Sequence, residues 1–200
     1  MSDFLIQQPL ILASSSLSRQ KLVESLGLQV TIIPSDVDEE QIKKQFTSRI
    51  FSDLAQTLAA AKADVVSKNY PEHFVIAADQ LCIIDDQCLD KPGSHAIATE
   101  HLRLLRGKTH QQIAATCIAK GGEIVWENQK IANLSMKNLT DSTIESYLRL
   151  DKPYQSCGAY NYEGRAKWLF KEVKGSDCTI LGLPLTPLME ALFNLGAVSF

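Results

Sequence analysis

A chain of 200 residues with 45% hydrophobic and 22% charged side chains is long enough to bury a sizeable core and has the composition of a soluble globular protein. Its net charge of −3 argues against a long polyanion such as duplex DNA as partner. A single small phosphorylated molecule stays open, because it needs only a local cluster of cations.

The first apolar run, "PLILA" (9–13), has the length of a buried strand, and "SRQKLVESLGL" places Leu22, Val23 and Leu26 on one helical face with Gly27 where a helix ends. The β-branched "QVTIIP" (29–34) reads as the next strand, and helix formers dominate from "VDEEQIKKQF" through "FSDLAQTLAAAKADVVSKNY". "HFVIAAD" (73–79) is a buried strand that stops at an acid, and "QLCIIDDQCLDKP" is a hairpin turning at Asp85 and Asp86. "SHAIATEHLRLLRG" reads as a helix closing at Gly107, and His110 to Met136 as two long strands joined at "KGGE". "TDSTIESYLRL" is a helix capped by Thr140 or Asp141, "AKWLFKEVKG" a strand, and "PLTPLMEALFNLG" a closing helix that ends on Gly196.

Strands and helices alternate without repeats, low-complexity tracts or a long linker, which predicts one compact α/β domain over residues 1–200. The long pair in the middle predicts a mixed, strongly twisted sheet with helices on both sides and a cleft near residues 14, 79 and 158. Five cysteines form no C-x-x-C pair, and the N-terminus lacks a basic region followed by a long apolar one. No stretch approaches the roughly 20 apolar residues of a membrane span. The expectation is a reduced, cytoplasmic protein with free thiols. The four histidines show no zinc-ligand spacing, which speaks against a structural metal.

Four groups of residues carry possible chemistry. Between the first strand and helix, Ser14 to Ser16 offer hydroxyls where helix N–H groups are unsatisfied, and Arg19 and Lys21 add charge. That suits a phosphate, although a serine also simply caps a helix. "SDVDEE" (35–40) and "AADQ" (77–80) place carboxylates at strand ends, where ligands bind in open α/β sheets. Two hard oxygen ligands from different strands can hold a hydrated Mg²⁺ that bridges phosphate oxygens. Against this stand an acidic helix start for "DVDEE" and a turn residue for Asp79. Lys62 lies on the alanine-rich helix and Lys91 in "LDKPG", each also readable as a surface lysine. "CGAYNYEGRAKWLF" (157–170) exposes backbone between aromatic residues around Glu163, as a loop burying a flat ring or as a tight core turn.

Taken in order, "LILASSSLSRQKLVESLGL", "SDVDEE", "LAAAKA", "VIAADQ", "LDKP", "LRGKTH", "CGAYNYEG" and "TILGLPL" resemble the Maf family of nucleoside triphosphate pyrophosphatases from about residue 10 to residue 196. The resemblance implies an α/β fold of the Maf/Ham1, inosine triphosphatase-like type, with two lobes about a central cleft. It implies hydrolysis of a nucleoside triphosphate to the monophosphate and pyrophosphate with a divalent metal, Mg²⁺ or Mn²⁺. It makes Asp79 the proton acceptor and Glu39 with Asp79 the metal ligands. Ser14, Ser16, Arg19, Lys62, Gln80, Lys91 and Glu163 become substrate-binding residues. No nucleic-acid polymer or membrane is implied as partner, and a homodimer is common in the family.

The chain departs from the family pattern at Leu17 and Ser18, where many relatives have proline and a basic or aromatic residue, and "QSCGAY" lacks the usual lysine. Gln80 and Glu163 resemble the group associated with 7-methyl-GTP more than the dTTP/UTP group. A carboxylate accepts two N–H bonds from a guanine edge but only one from uracil or thymine. Within the same resemblance, a dTTP/UTP pyrophosphatase and a non-catalytic nucleotide-binding regulator of cell division are the alternatives. An aspartate that ligates a cation is a poorer base, so the two roles of Asp79 compete.

Overall fold

A computed structural model describes residues 4–48 and 50–200. The elements begin with β1 (Ile6–Gln7), β2 (Leu10–Leu12), α1 (Leu17–Glu24), β3 (Thr31–Ile32), α2 (Glu39–Gln45) and α3 (Phe51–Asn69). Then come β4 (Phe74–Ile84), β5 (Gln87–Leu89), α4 (His95–Leu105), β6 (Thr109–Lys120), β7 (Glu123–Met136) and α5 (Asp141–Asp151). A 3-10 helix (Arg165–Leu169), β8 (Phe170–Lys174), α6 (Asp177–Ile180), α7 (Leu185–Asn194) and β9 (Val198–Ser199) complete the chain. The main sheet is mixed, in the order β3-β2-β4-β6-β7-β8 with β5 on β4. β2 runs parallel to β3 and β4, whereas β4–β5 and β7–β8 are antiparallel.

The chain divides into two compact units. The first takes in the chain through Asp79, Ala114–Lys130 and Gly182–Phe200; the second takes in Gln80–Ile113 and Ile131–Leu181. In the first unit all three residues of β2 are buried, as expected of a parallel strand covered on both faces. Its core joins Leu10 and Leu12 to Val23, Phe74, Ile76, Ile118, Leu188 and Leu192. Helix α3 buries Leu54, Leu58 and Val66 at four-residue or eight-residue steps, with small Ala55, Ala59 and Ala63 beside them. Lys62 sits on the same stripe as Leu58 and Val66, an unusual place for a charge.

The core of the second unit gathers Leu102, Leu105, Leu134, Met136, Ile144, Leu148, Tyr160 and Phe170. Asp85 and Asp86, at φ 47° and 58°, make the two-residue turn between β4 and β5, the backbone sign that matches strand twist in a hairpin. Thr140 caps α5 by accepting from the Thr143 backbone N–H. Gly158, at φ +77°, has no room for a side chain: a Cβ there would lie 2.8 Å from Cys82 Sγ.

Three sequence expectations change. Asp79 does not end a strand, because β4 continues through it to Ile84. "SDVDEE" does not end one either; β3 stops at Ile32, and Asp38 N-caps α2 by accepting from Gln41 N–H at 2.9 Å. The first half of "AKWLFKEVKG" forms the 3-10 helix, and the strand starts only at Phe170. All five cysteines are free, and among the described residues no helix is long and apolar enough to cross a membrane.

Candidate functional site

The turn from β2 into α1 is built by its serines. Ser16 is the N-cap of α1 and accepts from Arg19 N–H, and its own N–H donates to Ser14 Oγ at 3.2 Å. Arg19 points inward and is buried. Its Nε donates to the Gly182 carbonyl at 2.9 Å, and one terminal nitrogen donates to the Ala78 carbonyl at 2.8 Å and Ser14 Oγ at 3.3 Å. The guanidinium therefore staples the start of α1 to the residue just before Asp79. Capping and cation placement are here one structure, since the same side chain that closes the turn carries positive charge into it.

Beside this turn in the first unit lies a charged cluster. Lys62 Nζ stands 2.6 Å from Asp79 Oδ1 and 2.8 Å from Glu39 Oε1. Asp79 is 5% exposed and Lys62 8%, while the Glu39 side chain is half-exposed. The first residue of α2, the buried stripe of α3 and the middle of β4 thus bring three charges to one point. Burying such groups costs several kcal/mol per ion unless each keeps its partner, by about the magnitudes known for internal ion pairs. Lysine's compact ammonium can serve two carboxylates at once, which is what lets an acid lie inside a buried strand.

Two carboxylates converging on one cation are also hard oxygen donors, the kind that Mg²⁺ and Mn²⁺ prefer. Among the described residues no group of three His, Cys, Asp or Glu side chains gathers as a metal cage. The donor set suits an ion that completes its shell with water and phosphate oxygens.

The remaining expected site residues belong to the second unit. Lys91 and Glu163 are exposed. Gln80, next after Asp79 on β4, is half-buried and donates through Nε2 to Gln112 Oε1 at 2.9 Å and to the Ile180 carbonyl. Gln112 Nε2 donates to Tyr160 Oη at 2.7 Å, and Tyr160 Oη lies 2.8 Å from His110 Nε2. Burial pushes the His110 imidazole down to about 4 and the Tyr160 phenol well above its ordinary value, so both are neutral near pH 7. The sequence reading left out His110, Gln112 and Tyr160. His110 and Gln112 stand at alternate positions of β6, which puts both on one buried face, while Gln111 between them faces the other way and is less buried.

Comparison with known proteins bears on the whole chain. The model of the family described as Maf-like protein matches residues 9–195. A nucleoside triphosphate pyrophosphatase of Legionella pneumophila (strain Paris) is 55% identical over 198 residues, 99% of each chain. Another, of Nitrobacter winogradskyi, is 40% identical over 187 residues, 92% of this chain and 93% of its own. A solved nucleoside-triphosphatase / dITP/XTP pyrophosphatase of Mycobacterium abscessus aligns at 15% identity and a TM-score of 0.37, over 66% of this chain and 75% of its own, a likeness too slight to build on. With a family model matched over residues 9–195 and full-length relatives at 40% identity and above, the chain belongs to the Maf family.

Proposed function

We propose that this protein is a nucleoside triphosphate pyrophosphatase that hydrolyses its substrate to the nucleoside monophosphate and pyrophosphate. The observation that carries this reading is the buried lysine between Asp79 and Glu39, beside the serine-rich start of α1. The names of the relatives at 55% and 40% identity point the same way.

In this reading Ser14, Ser16 and the N-terminus of α1 receive phosphate oxygens, with the charge of Arg19 behind them. Lys62 and Lys91 offset the negative charge of the triphosphate. Asp79 accepts a proton from the attacking water, whose oxygen bonds to the α-phosphorus as the bond to the bridging oxygen of the β-phosphate breaks. Glu39 and Asp79 would hold the divalent ion, Mg²⁺ or Mn²⁺. When bound, such an ion neutralises phosphate oxygens and makes bound water more acidic. Lys62, which pairs with both of these carboxylates, places its ammonium beside them.

For the base, Gln80 and Glu163 are the proposed readers, and 7-methyl-GTP is the proposed preference over dTTP and UTP. A panel of nucleotides, assayed for phosphate with and without added inorganic pyrophosphatase, tests the reading. Release that depends on the added enzyme is expected. No release from any nucleotide at micromolar protein would leave only a nucleotide-binding protein.

A further inference from the structure

Gln80 lies in a hydrogen-bonded chain whose direction can be worked out from one fixed end. The Ile180 carbonyl is a backbone oxygen and can only accept, so the part of the Gln80 amide that faces it is the NH₂ group. The same nitrogen donates to Gln112 Oε1, which places both of its protons. Gln112, 1% exposed, therefore turns its own nitrogen to Tyr160 Oη. Tyr160 Oη and His110 Nε2, 2.8 Å apart, share the last hydrogen bond of the chain, with its direction set by the imidazole tautomer. The other ring nitrogen of His110, Nδ1, is buried with no partner among the described residues. Both amides therefore donate in one direction, from Gln80 to Gln112 and from Gln112 to Tyr160.

What remains at the near end is Gln80 Oε1, and among the described residues no group donates to it. We propose that Gln112 is a positioning residue, backed by Tyr160 and His110, that together with the Ile180 carbonyl locks Gln80 as a one-way acceptor for an N–H group of the nucleobase. This rests on the reading above that Gln80 touches the nucleotide. A free glutamine can turn its amide over and serve a donor or an acceptor equally, so it discriminates poorly. A locked one pairs with guanine N1–H or uracil N3–H and meets adenine N1 or cytosine N3 with its lone pairs opposed.

The test is kcat/KM for GTP against ATP and for UTP against CTP, in the wild type, Gln80→Leu, Gln112→Leu and Tyr160→Phe, with thermal unfolding of each to establish folding. The wild type is expected to favour the N–H-bearing member of each pair. Gln112→Leu is expected to lower both ratios by about tenfold, through weaker GTP and UTP use and stronger ATP and CTP use. Tyr160→Phe should move the ratios the same way by less, and it decides alone if Gln112→Leu does not fold. The inference is overturned if Gln80→Leu lowers the ratios while both folded partner variants leave them unchanged, or if the partner variants lose activity equally on all four nucleotides. If Gln80→Leu leaves the ratios unchanged, Gln80 does not touch the base, and the underlying reading falls as well.

Discussion

In the first unit a lysine lies within 2.8 Å of each of two carboxylates, and in the second unit Gln80, Gln112, Tyr160 and His110, all uncharged, form a chain of hydrogen bonds. Both centres bury polar groups, yet they meet the cost differently. The first relies on opposite charge, which acts at a distance and tolerates rearrangement; an ammonium can leave one carboxylate for a phosphate without a change in the other's geometry. The second relies on directed donors and acceptors, each of which is wrong if turned over. A reaction that changes charge suits the first arrangement, and the choice between chemically similar bases suits the second.

The comparison breaks most sharply through the divalent ion. Removal of Mg²⁺ and Mn²⁺ with EDTA should abolish turnover, because one lysine shared by two acids leaves little positive charge for a triphosphate. Persistence of activity in the chelator, measured as pyrophosphate release, would give the charged cluster another role. Next in size, Asp79→Asn keeps the volume but removes the proposed proton acceptor and one charged partner of Lys62. Its kcat should fall by about two orders of magnitude or more. A variant retaining more than a tenth of wild-type kcat would show that Asp79 is dispensable.

The neutral chain should show itself in the response to acid. His110 is held near about 4 in the folded protein against an ordinary 6.5, because burial disfavours its charged form. Between those values the unfolded chain binds a proton at this residue and the folded one does not, so stability falls as the pH drops from 6.5 toward 4. The full loss is about 3 kcal/mol for a shift of this size. Urea unfolding at pH 7 and pH 4.5 measures it, and His110→Gln, which keeps an acceptor but does not titrate, should flatten the fall. An unchanged pH dependence in that variant would place the acid sensitivity elsewhere.

The smallest effect expected is at the exposed Glu163. Glu163→Gln exchanges one acceptor for a donor and should lower kcat/KM for 7-methyl-GTP by at least about fivefold, while UTP and dTTP use holds or rises. Equal losses on all nucleotides would make Glu163 structural, and a wild type that already favours UTP or dTTP would reverse the proposed base preference.

Much of this contrast was legible in the amino-acid order, and the part that was not has a common cause. The "PLILA" strand, the Asp85 and Asp86 turn, the Thr140 cap and the final helix rest on local rules, and the structure has them. Asp79 looked like a strand end because an acid usually interrupts an apolar run. The Lys62 ammonium that allows β4 to continue comes from α3, 17 residues away. The clue was available as a lysine four residues from Leu58 and from Val66 on one helical stripe. β1 and β9 are two residues each and exist only by pairing with one another across nearly the whole chain, so no local pattern announces them. Ser14, Ser16, Arg19, Glu39, Lys62 and Asp79 all fall in the first unit; Gln112 and Tyr160 went unnoticed because a polar residue inside a strand has meaning only once its partners are known.

The most direct measurement is hydrolysis in water enriched in heavy oxygen, followed by mass analysis of both products. Attack at the α-phosphorus puts the heavy atom in the nucleoside monophosphate and leaves the pyrophosphate unlabelled, which is the predicted result. Label in pyrophosphate, or in orthophosphate released with a nucleoside diphosphate, would contradict it.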